Sequence, residues 1–387
     1  MTPKQIPLTA SGWTVAVLAV VAYAGGWILG WVELMVVAAG CLLVLAIAVP
    51  FVIGRLQLDV VRTLEPERVT VGDRAVAVMR VTNPKRTPIS SRTIEEHIGS
   101  RPVRLDIPPL GPGRATEAVY PLPTQRRGVV PIGPALIVKS DLLNLMRREI
   151  AQTDVQTLWV HPRVAALGPL PVGFAKDLEG PTSDASPSGD VAFHALREYE
   201  LGDDHRHIHW MSSARTGQLM VRHYVDNRRP NITVVVDTEI ESYRSERQFD
   251  LAIEVAASLG VSSLLHGQPV AVWLDRDAVV GQNRPAGRND ILDRLTLAEG
   301  ATGTDVADAA LHALRAESGT SALVVVTGNV PTDRFLRLAT IARRAARVIL
   351  VRTWPAGDRL PGALPGAKVI DVDELAMFQA AWSRVTS

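Results

Sequence analysis

Two long apolar stretches without charge open the chain. Residues 5–32 carry no charged side chain, Glu33 stands alone, and residues 34–54 again carry none. Each stretch is as long as the roughly 20 apolar residues that a helix needs to cross a bilayer. The pattern predicts a transmembrane helical hairpin in residues 1–54, with spans at about 12–31 and 34–53. A cleaved signal peptide is the alternative for the first stretch, but a second apolar stretch follows it at once.

The charges that flank the two stretches predict an orientation. Lys4 precedes the first stretch, and Arg55, Arg62 and Arg68 follow the second. Because basic flanks stay on the cytoplasmic side, both chain ends are expected there. The sequence therefore predicts an integral protein of the cell membrane with two spans, whose soluble domains lie in the cytoplasm.

Short alternating runs follow the hairpin. Residues 55–164 are rich in Val, Ile and Thr, with turn signals such as Asn83-Pro84 between the runs. This pattern predicts an antiparallel β domain of the sandwich type. Residues 165–230 are expected to link it to the next domain through an exposed loop rich in Pro and Ser and a dense polar segment.

The last part of the chain alternates apolar runs with helical patterns. Residues 231–387 begin with a β-branched run that ends at Asp237, and a helical pattern follows over residues 247–266. Such alternation predicts a doubly wound α/β domain with a largely parallel sheet. Ligands bind such sheets beyond the carboxyl ends of strands, where the strand order reverses, so Asp237, Thr238 and Glu239 are the first positions of interest.

Composition excludes several classes of protein. The chain has 387 residues with 41 basic and 40 acidic side chains, so no basic field favours nucleic acid. Its one cysteine, Cys41, allows neither a disulfide framework nor a Cys-rich zinc site. No Gly-rich dinucleotide motif, P-loop, zincin motif or nucleophile elbow is present.

The polar segment between the two domains permits two interpretations. His205, His207 and His209 alternate, so in an extended chain they would share one face, and Asp203 and Asp204 stand beside them. That arrangement suggests a metal site, although metal ligands usually converge from more than one element. In the alternative interpretation the charged side chains pair with one another or with backbone and have a structural role. These are Arg197, Glu198, Asp203, Asp204, Arg206 and Arg215.

The same segment closely resembles the signature of the domain of unknown function 58 family. The matching positions are Arg197, Glu198, Tyr199, Gly202, Asp203, Asp204, Arg206, Ile208, Trp210, Ser213, Ala214, Arg215, Leu219, Val221 and Arg222. Upstream, Asp141–Leu145 is similar to the family's Asp-Pro-Phe-Gly-Leu stretch, with departures at Leu142, Leu143 and Asn144. His209 stands where many members have an acid, which weakens the metal interpretation of the histidine row.

The resemblance implies a domain order and a metal site. Members have a transmembrane hairpin, a β domain, the signature and a von Willebrand factor A-like α/β domain. Such a domain carries an Asp-x-Ser-x-Ser site for Mg²⁺, completed by a threonine and an aspartate. Here Glu239 and Glu241 replace both serines, Thr304 is the expected threonine, and Thr327-Gly328-Asn329 offers no acid. Either the site is lost or weak, which is favoured, or it is altered, with Asp237, Glu239 and Glu241 as a hard-cation cluster. The residues of the degenerate adhesion-type site are Asp237, Glu239 and Thr304.

The resemblance also implies a function. Family members look like membrane-anchored partners of MoxR-type AAA+ ATPases in the maturation of protein complexes or in envelope stress. The leading hypothesis is therefore a non-enzymatic interaction or adaptor protein. Its expected partners are the lipid bilayer and a MoxR-type AAA+ ATPase or another cytosolic protein. It is expected to need no cofactor, unless Mg²⁺ binds the degenerate site. The alternative is a metal-dependent hydrolase that uses His205, His207 and His209.

Overall fold

The structure is a computed structural model that divides the chain into two compact units, Met1–His161 and Pro162–Ser387. The residues that it describes are 8–52, 58–169, 191–200, 203, 208–226, 231–281, 284–317, 320–329, 332–342, 347–355, 362 and 365–386.

Two apolar helices begin the first unit, α1 (Ala10–Leu29) and α2 (Val32–Val52), so the predicted pair is confirmed. Both are long and apolar enough to cross a membrane. Gly30 joins them in the left-handed conformation. Small residues of α1 are buried, as is typical of helix pairs in lipid, whereas large apolar side chains such as Ile28 are exposed. The buried small residues are Gly12, Ala19, Ala22 and Gly26.

Nine strands form two sheets that share one apolar core in the same unit. The sheet orders are β1-β3-β6 and β2-β9-β7-β4-β5, with β8 paired to β7. The strands are β1 (Asp59–Glu65), β2 (Arg68–Thr70), β3 (Val76–Thr82), β4 (Arg92–Ile98), β5 (Arg101–Ile107), β6 (Ala115–Pro121), β7 (Gly128–Ser140), β8 (Arg147–Ala151) and β9 (Gln156–His161). The prediction of a purely antiparallel domain is wrong at one edge, where β2 pairs with β9 in parallel. These two strands are far apart in sequence, so no tight hairpin imposes the antiparallel direction.

A buried ion pair lies within this β core. The Arg62 guanidinium pairs with the Glu96 carboxylate, which also accepts a hydrogen bond from the Tyr120 hydroxyl. Burial raises the pKa of Glu96, and the hydrogen bond and charge of Arg62 oppose that rise. Gly133 has a φ of +95°, and a β-carbon there would collide with the guanidinium. Removing one partner would leave an unpaired buried charge, which typically costs about 3–5 kcal/mol.

The second unit is a mixed α/β structure. Its six-stranded sheet has the order β14-β13-β12-β15-β16-β17, parallel except for β14, with apolar clusters on both faces. Outside that sheet, β10 and β11 form an antiparallel pair. The elements are β10 (Val191–Glu198), α3 (Trp210–Thr216), β11 (Met220–Asp226), β12 (Ile232–Val236), α4 (Glu246–Leu265), β13 (Val270–Leu274), β14 (Asp277–Val280), α5 (Arg288–Thr296), α6 (Val306–Ala316), β15 (Ala322–Thr327), α7 (Thr332–Ala342), β16 (Val348–Thr353), β17 (Ala367–Val372) and α8 (Leu375–Thr386).

The strand order reverses at β12. From β12 the chain first adds β13 and β14 on one side, and then β15, β16 and β17 on the other. The carboxyl ends of β12 and β15 are therefore neighbours at the point where ligands bind in open α/β sheets. Asp237 follows β12 directly, and Thr327 ends β15.

Helix α4 is apolar and long enough to be taken for a third membrane span, but 83% of that stretch is buried inside the unit. A row of polar side chains at four-residue spacing binds an extended segment, residues 163–167. Arg163 pairs with Glu254 at 2.7 Å, and the Ser258 and Ser262 hydroxyls accept hydrogen bonds from backbone N–H groups of that segment. These contacts identify α4 as a core helix of the α/β unit.

Candidate functional site

Three loops meet at the carboxyl edge of the parallel sheet: the loop after β12, the loop between α5 and α6, and the loop after β15. The Ala301 N–H donates to the Thr238 carbonyl at 2.8 Å, and the Asn329 N–H donates to the Ser242 carbonyl at 2.5 Å. A β-carbon at Gly328 would collide with that same carbonyl, so this approach of two backbones needs glycine. The polar residues that these loops and the start of α7 bring together are termed the strand-end cluster. They are Asp237, Thr238, Glu239, Ser242, Thr304, Thr327 and Arg334.

Asp237 is the centre of the cluster. It is 2% exposed, and its two carboxylate oxygens accept hydrogen bonds from the Glu239 N–H at 3.0 Å and the Thr327 hydroxyl at 2.7 Å. Burial raises the pKa of Asp237, and these donors, Ser242 and the charge of Arg334 oppose the rise. The Tyr243 hydroxyl donates to the Asp237 carbonyl at 2.6 Å. Asp237 therefore has a structural role that ties together the ends of β12 and β15.

Glu239 is buried without full compensation of its charge. Its side chain is 4% exposed, Oε1 makes no hydrogen bond, and Oε2 lies 3.8 Å from the Arg334 guanidinium. The Ser242 hydroxyl is also buried and lacks a hydrogen bond of normal geometry. Unsatisfied buried polar atoms are few in native proteins and are often found at functional sites. The Glu239 carboxylate and the Ser242 hydroxyl can therefore form further hydrogen bonds, and they lie at the edge where open α/β sheets bind ligands.

The predicted adhesion-type metal site is only partly assembled. Thr304 accepts a hydrogen bond from the Thr238 hydroxyl at 3.4 Å and so belongs to the cluster. Glu241 lies in a 3-10 turn over Ile240–Ser242 and is exposed. Asp237 and Glu239 are buried whereas Glu241 is exposed, so the structure does not bring the three carboxylates into one buried group. The cation cluster of these three residues stays a prediction.

The donor set of the cluster does not fit Mg²⁺. Both oxygens of Asp237 already accept protein hydrogen bonds, and a guanidinium lies beside Glu239. A hard cation needs several free oxygen ligands and no competing cation nearby. Within the described part of the chain, no group of three or more His, Cys, Asp or Glu side chains could hold a metal ion.

The segment that carries the signature contains an antiparallel strand pair, β10 and β11, with helix α3 before β11. Arg197 donates to Asp203 at 2.5 Å, and the other oxygen of Asp203 accepts the Glu200 N–H at 2.9 Å. The hydrogen bond from Arg197 lowers the pKa of Asp203. The Tyr199 N–H donates to the Leu219 carbonyl at 2.9 Å. These contacts agree with the structural interpretation of the charged residues.

His209 lies at the start of helix α3. It precedes α3 as its N-cap, and its Nδ1 accepts a hydrogen bond from the Ser212 N–H at 3.2 Å. Trp210 is 66% exposed, Ala214 and Arg215 lie on the exposed surface of α3, and the Glu198 side chain is exposed. Gly202, Asp204, His205, Arg206 and His207 lie outside the described residues, as does the side chain of Arg222, whose backbone belongs to β11.

Sequence reasoning missed Arg334, Ser242 and Tyr243. Arg334 lies near the start of a helix that follows a strand of the sheet, and this position was the available signal. Ser242 and Tyr243 follow Asp237 on the same loop, but their roles depend on a 3-10 turn that the pattern did not predict. Thr327 was considered only as a place where an acid is missing, whereas its hydroxyl binds Asp237.

Comparisons with solved structures add little. The chain matches the CARDB domain of a Pyrococcus furiosus protein at 20% identity, over 28% of this chain and 92% of that one, with a TM-score of 0.21. It matches a β-glucosidase from Erythrobacter marinus at 14% identity, over 24% and 15%, with a TM-score of 0.17. A mutant β-glucosidase from Listeria innocua matches at 13% identity, over 28% and 17%, with a TM-score of 0.18. These low scores support no argument about fold or function.

The comparison of families is informative. None of the curated proteins compared with the chain matches it. A family model described as protein of unknown function DUF58 matches residues 195–374. The match begins in β10, includes α3 and β11, and extends through the six-stranded sheet to the residue before α8. The match covers the region of the chain that contains the strand-end cluster, and it supports the resemblance to the DUF58 family.

Proposed function

We propose that the chain is a membrane-anchored, non-enzymatic interaction protein whose α/β unit engages a MoxR-type AAA+ ATPase or another cytosolic protein. The observation that carries the proposal is the strand-end cluster, in which the Glu239 carboxylate is buried with one unpaired oxygen beside Arg334. The cluster lies at the switch point of a sheet in a DUF58 region. The proposal includes a von Willebrand factor A-like fold for the α/β unit.

The two apolar helices supply the anchor. They suggest membrane insertion by length and composition. Lys4 before them and Arg55 after them favour a topology with both ends and both soluble regions in the cytoplasm of a cell-membrane protein. In that topology the strand-end cluster is accessible to a cytosolic ATPase.

Arg334 supplies the positive charge of the recognition site. The Arg334 side chain is 24% exposed, and its guanidinium lies 3.8 Å from the Glu239 carboxylate, which is farther than a hydrogen bond. A guanidinium binds a carboxylate through two parallel N–H donors. The site therefore receives an acidic side chain of the partner through Arg334 and needs no divalent cation.

The test is affinity capture of the full-length chain from solubilised membranes, comparing Arg334→Gln with Arg337→Gln. Arg337 lies on the same helix, but it pairs with Asp305 at 2.6 Å and also with Asp308. We expect capture of an AAA+ ATPase by the wild type and by Arg337→Gln, and a loss of capture in Arg334→Gln. Recovery of no ATPase, or equal recovery by both variants, would contradict the proposal.

A second measurement tests the role of cations. Isothermal titration of the full-length chain in nanodiscs with Mg²⁺ and Mn²⁺ is expected to show no saturable binding. Saturable binding that is lost in Asp237→Ala would establish an adhesion-type metal site in place of recognition by Arg334.

A further inference from the structure

The ion pair between Arg334 and Glu239 is looser than the neighbouring pair on the same helix. The Arg334 guanidinium lies 3.8 Å from the Glu239 carboxylate, whereas Arg337 lies 2.6 Å from the Asp305 carboxylate. A hydrogen bond between a guanidinium and a carboxylate is usually about 2.7–2.9 Å long. Arg334 therefore attracts the Glu239 carboxylate through its charge, without the two parallel hydrogen bonds that a guanidinium can form.

The backbone of Glu239, in contrast, is held firmly in place. Its N–H donates to the Asp237 carboxylate at 3.0 Å, and its carbonyl accepts the Ser242 N–H at 3.0 Å. A parallel β-bridge also joins Glu239 to Ala301. Glu239 precedes the 3-10 turn as its N-cap, but its side chain makes no capping hydrogen bond to that described turn. The side chain can therefore change its contacts by rotation while the backbone stays in place.

Arg334 is accessible to a second carboxylate. Its side chain is partly exposed, and a guanidinium has five N–H donors in a planar fork that matches a carboxylate. Two carboxylates beside one guanidinium repel each other, however. A carboxylate from outside would form shorter hydrogen bonds with Arg334 than Glu239 does, and it would have to displace Glu239.

The Ser242 hydroxyl offers the displaced carboxylate a hydrogen-bond donor. Ser242 lies three positions after Glu239 in the same 3-10 turn, and side chains at this spacing lie on the same side of such a turn. Within the described residues, the Ser242 hydroxyl and Glu239 Oε1 are both buried and both lack a hydrogen-bond partner. Because a hydroxyl donates to a carboxylate, one rotation of the Glu239 side chain would satisfy both atoms.

We propose that Glu239 is an internal competitor for the carboxylate-binding site on Arg334. In the free protein the Glu239 carboxylate lies beside the guanidinium. An acidic side chain of the partner takes this place with two hydrogen bonds, and Glu239 turns to the Ser242 hydroxyl. The inference rests on the proposed function, in which Arg334 receives an acidic side chain. Glu239 thereby lowers the affinity of the site and selects carboxylates that bind Arg334 strongly enough to displace it.

The experiment measures the binding of a small carboxylate, trifluoroacetate, to the full-length chain in phosphatidylcholine nanodiscs. The broadening of its fluorine NMR signal during a titration gives the dissociation constant. Glu239→Gln removes the competing charge and keeps the size of the side chain. Glu241→Gln is the matched control, because it removes the same charge from an exposed residue of the same turn. Arg334→Gln measures the binding outside the site, and thermal unfolding of each variant verifies the fold.

We expect Glu239→Gln to bind trifluoroacetate about tenfold more tightly than the wild type, because like charges no longer meet at Arg334. Glu241→Gln is expected to bind like the wild type, and Glu239→Gln/Arg334→Gln is expected to lose the added binding. Ser242→Ala should weaken binding where Glu239 is present and have little effect in the Glu239→Gln background.

Two results would overturn the inference in different ways. If binding depends on Arg334 but Glu239→Gln and Glu241→Gln bind equally, Glu239 is not a competitor, and the proposed function stands. If Glu239→Gln shows no binding that depends on Arg334, the proposed recognition of an acidic side chain by Arg334 fails as well. An equal effect of Ser242→Ala in both backgrounds would overturn the part assigned to Ser242.

Discussion

At the scale of the residue, the buried carboxylate of Asp237 both connects two strands and opposes the stability of the fold. Asp237 connects the ends of two strands through good hydrogen bonds, yet its burial still raises its pKa. The fold therefore disfavours the charged form that exists at neutral pH. Natural proteins retain such strain at sites where function needs the group.

The first prediction concerns Asp237→Asn. Because the pKa of Asp237 is higher in the folded chain than in the unfolded chain, protonation of Asp237 stabilises the fold. This stabilisation is complete below the pKa of the unfolded chain, about 3.9, and it is lost as the pH rises through the pKa of the folded chain. Asparagine has no ionisable carboxyl group, so no buried charge forms as the pH rises. Asp237→Asn is therefore expected to be more stable than the wild type at neutral pH, by about 0.5–2 kcal/mol. Thermal unfolding in nanodiscs from pH 4 to pH 8 measures the difference.

The difference in stability between Asp237→Asn and the wild type should become smaller as the pH falls towards the pKa of Asp237 in the unfolded chain. Thr327→Ser is the control, since it keeps the hydroxyl that donates to Asp237. A variant that is less stable than the wild type at neutral pH would show that the carboxylate contributes more through hydrogen bonding than it loses through burial.

The position of Asp237 could be predicted from the sequence, because a β-branched run that ends in an acid indicates the end of a buried strand. The pairing of Glu239 with Arg334 could not, because it depends on how two distant loops meet in space. His209 could not be recognised as a helix cap either, because histidine is not among the preferred N-cap residues. For this reason α3 was also missed.

At the scale of the element, periodicity predicted the long helices well and the short elements poorly. The helical pattern over residues 247–266 corresponds to α4 at Glu246–Leu265. In contrast, β14 and β17 were missed, since strands of four to six residues at the sheet edges carry little pattern of their own. The polar row of α4, Glu254, Ser258 and Ser262, binds residues 163–167.

The second prediction concerns the hydrogen bonds from the segment of residues 163–167 to α4. The Ser258 hydroxyl accepts the Ala165 N–H at 2.9 Å, and the Ser262 hydroxyl accepts the Leu167 N–H at 3.2 Å. Ser258→Ala and Ser262→Ala each leave a buried N–H without its partner, which costs about 1–3 kcal/mol. Hydrogen exchange at Ala165 and Leu167 should become faster in the corresponding variant.

Ser263→Ala is the matched control, because Ser263 is buried on the same helix but outside the row of Glu254, Ser258 and Ser262. We expect it to leave the exchange of both amides unchanged. If all three variants exchanged alike, the row would not hold the segment.

At the scale of the whole molecule, two apolar helices that could cross a membrane precede a β region and an α/β unit. The two helices could be predicted because an uncharged apolar stretch of about twenty residues is typical of a membrane-spanning helix. The burial of α4 was not evident from its hydropathy and required the folded unit around it.

The third prediction concerns topology. In a Cys41→Ala background, Trp31→Cys places a thiol in the turn between α1 and α2, where the residue is 58% exposed, and Leu265→Cys places one at the 73% exposed end of α4. A maleimide that cannot cross membranes should label position 31 in intact cells. It should label position 265 only after permeabilisation. The reverse pattern would invert the proposed orientation.

The most direct test of the account is site-specific photo-crosslinking from the full-length chain in native membranes. A photoreactive residue at Glu241, which is exposed beside the strand-end cluster, is compared with one at His266, which is exposed where α4 ends. We predict that an AAA+ ATPase crosslinks at position 241 and not at position 266, and that Arg334→Gln abolishes the crosslink. Equal crosslinking at both positions, or none at position 241, would contradict the proposal that the strand-end cluster binds the partner.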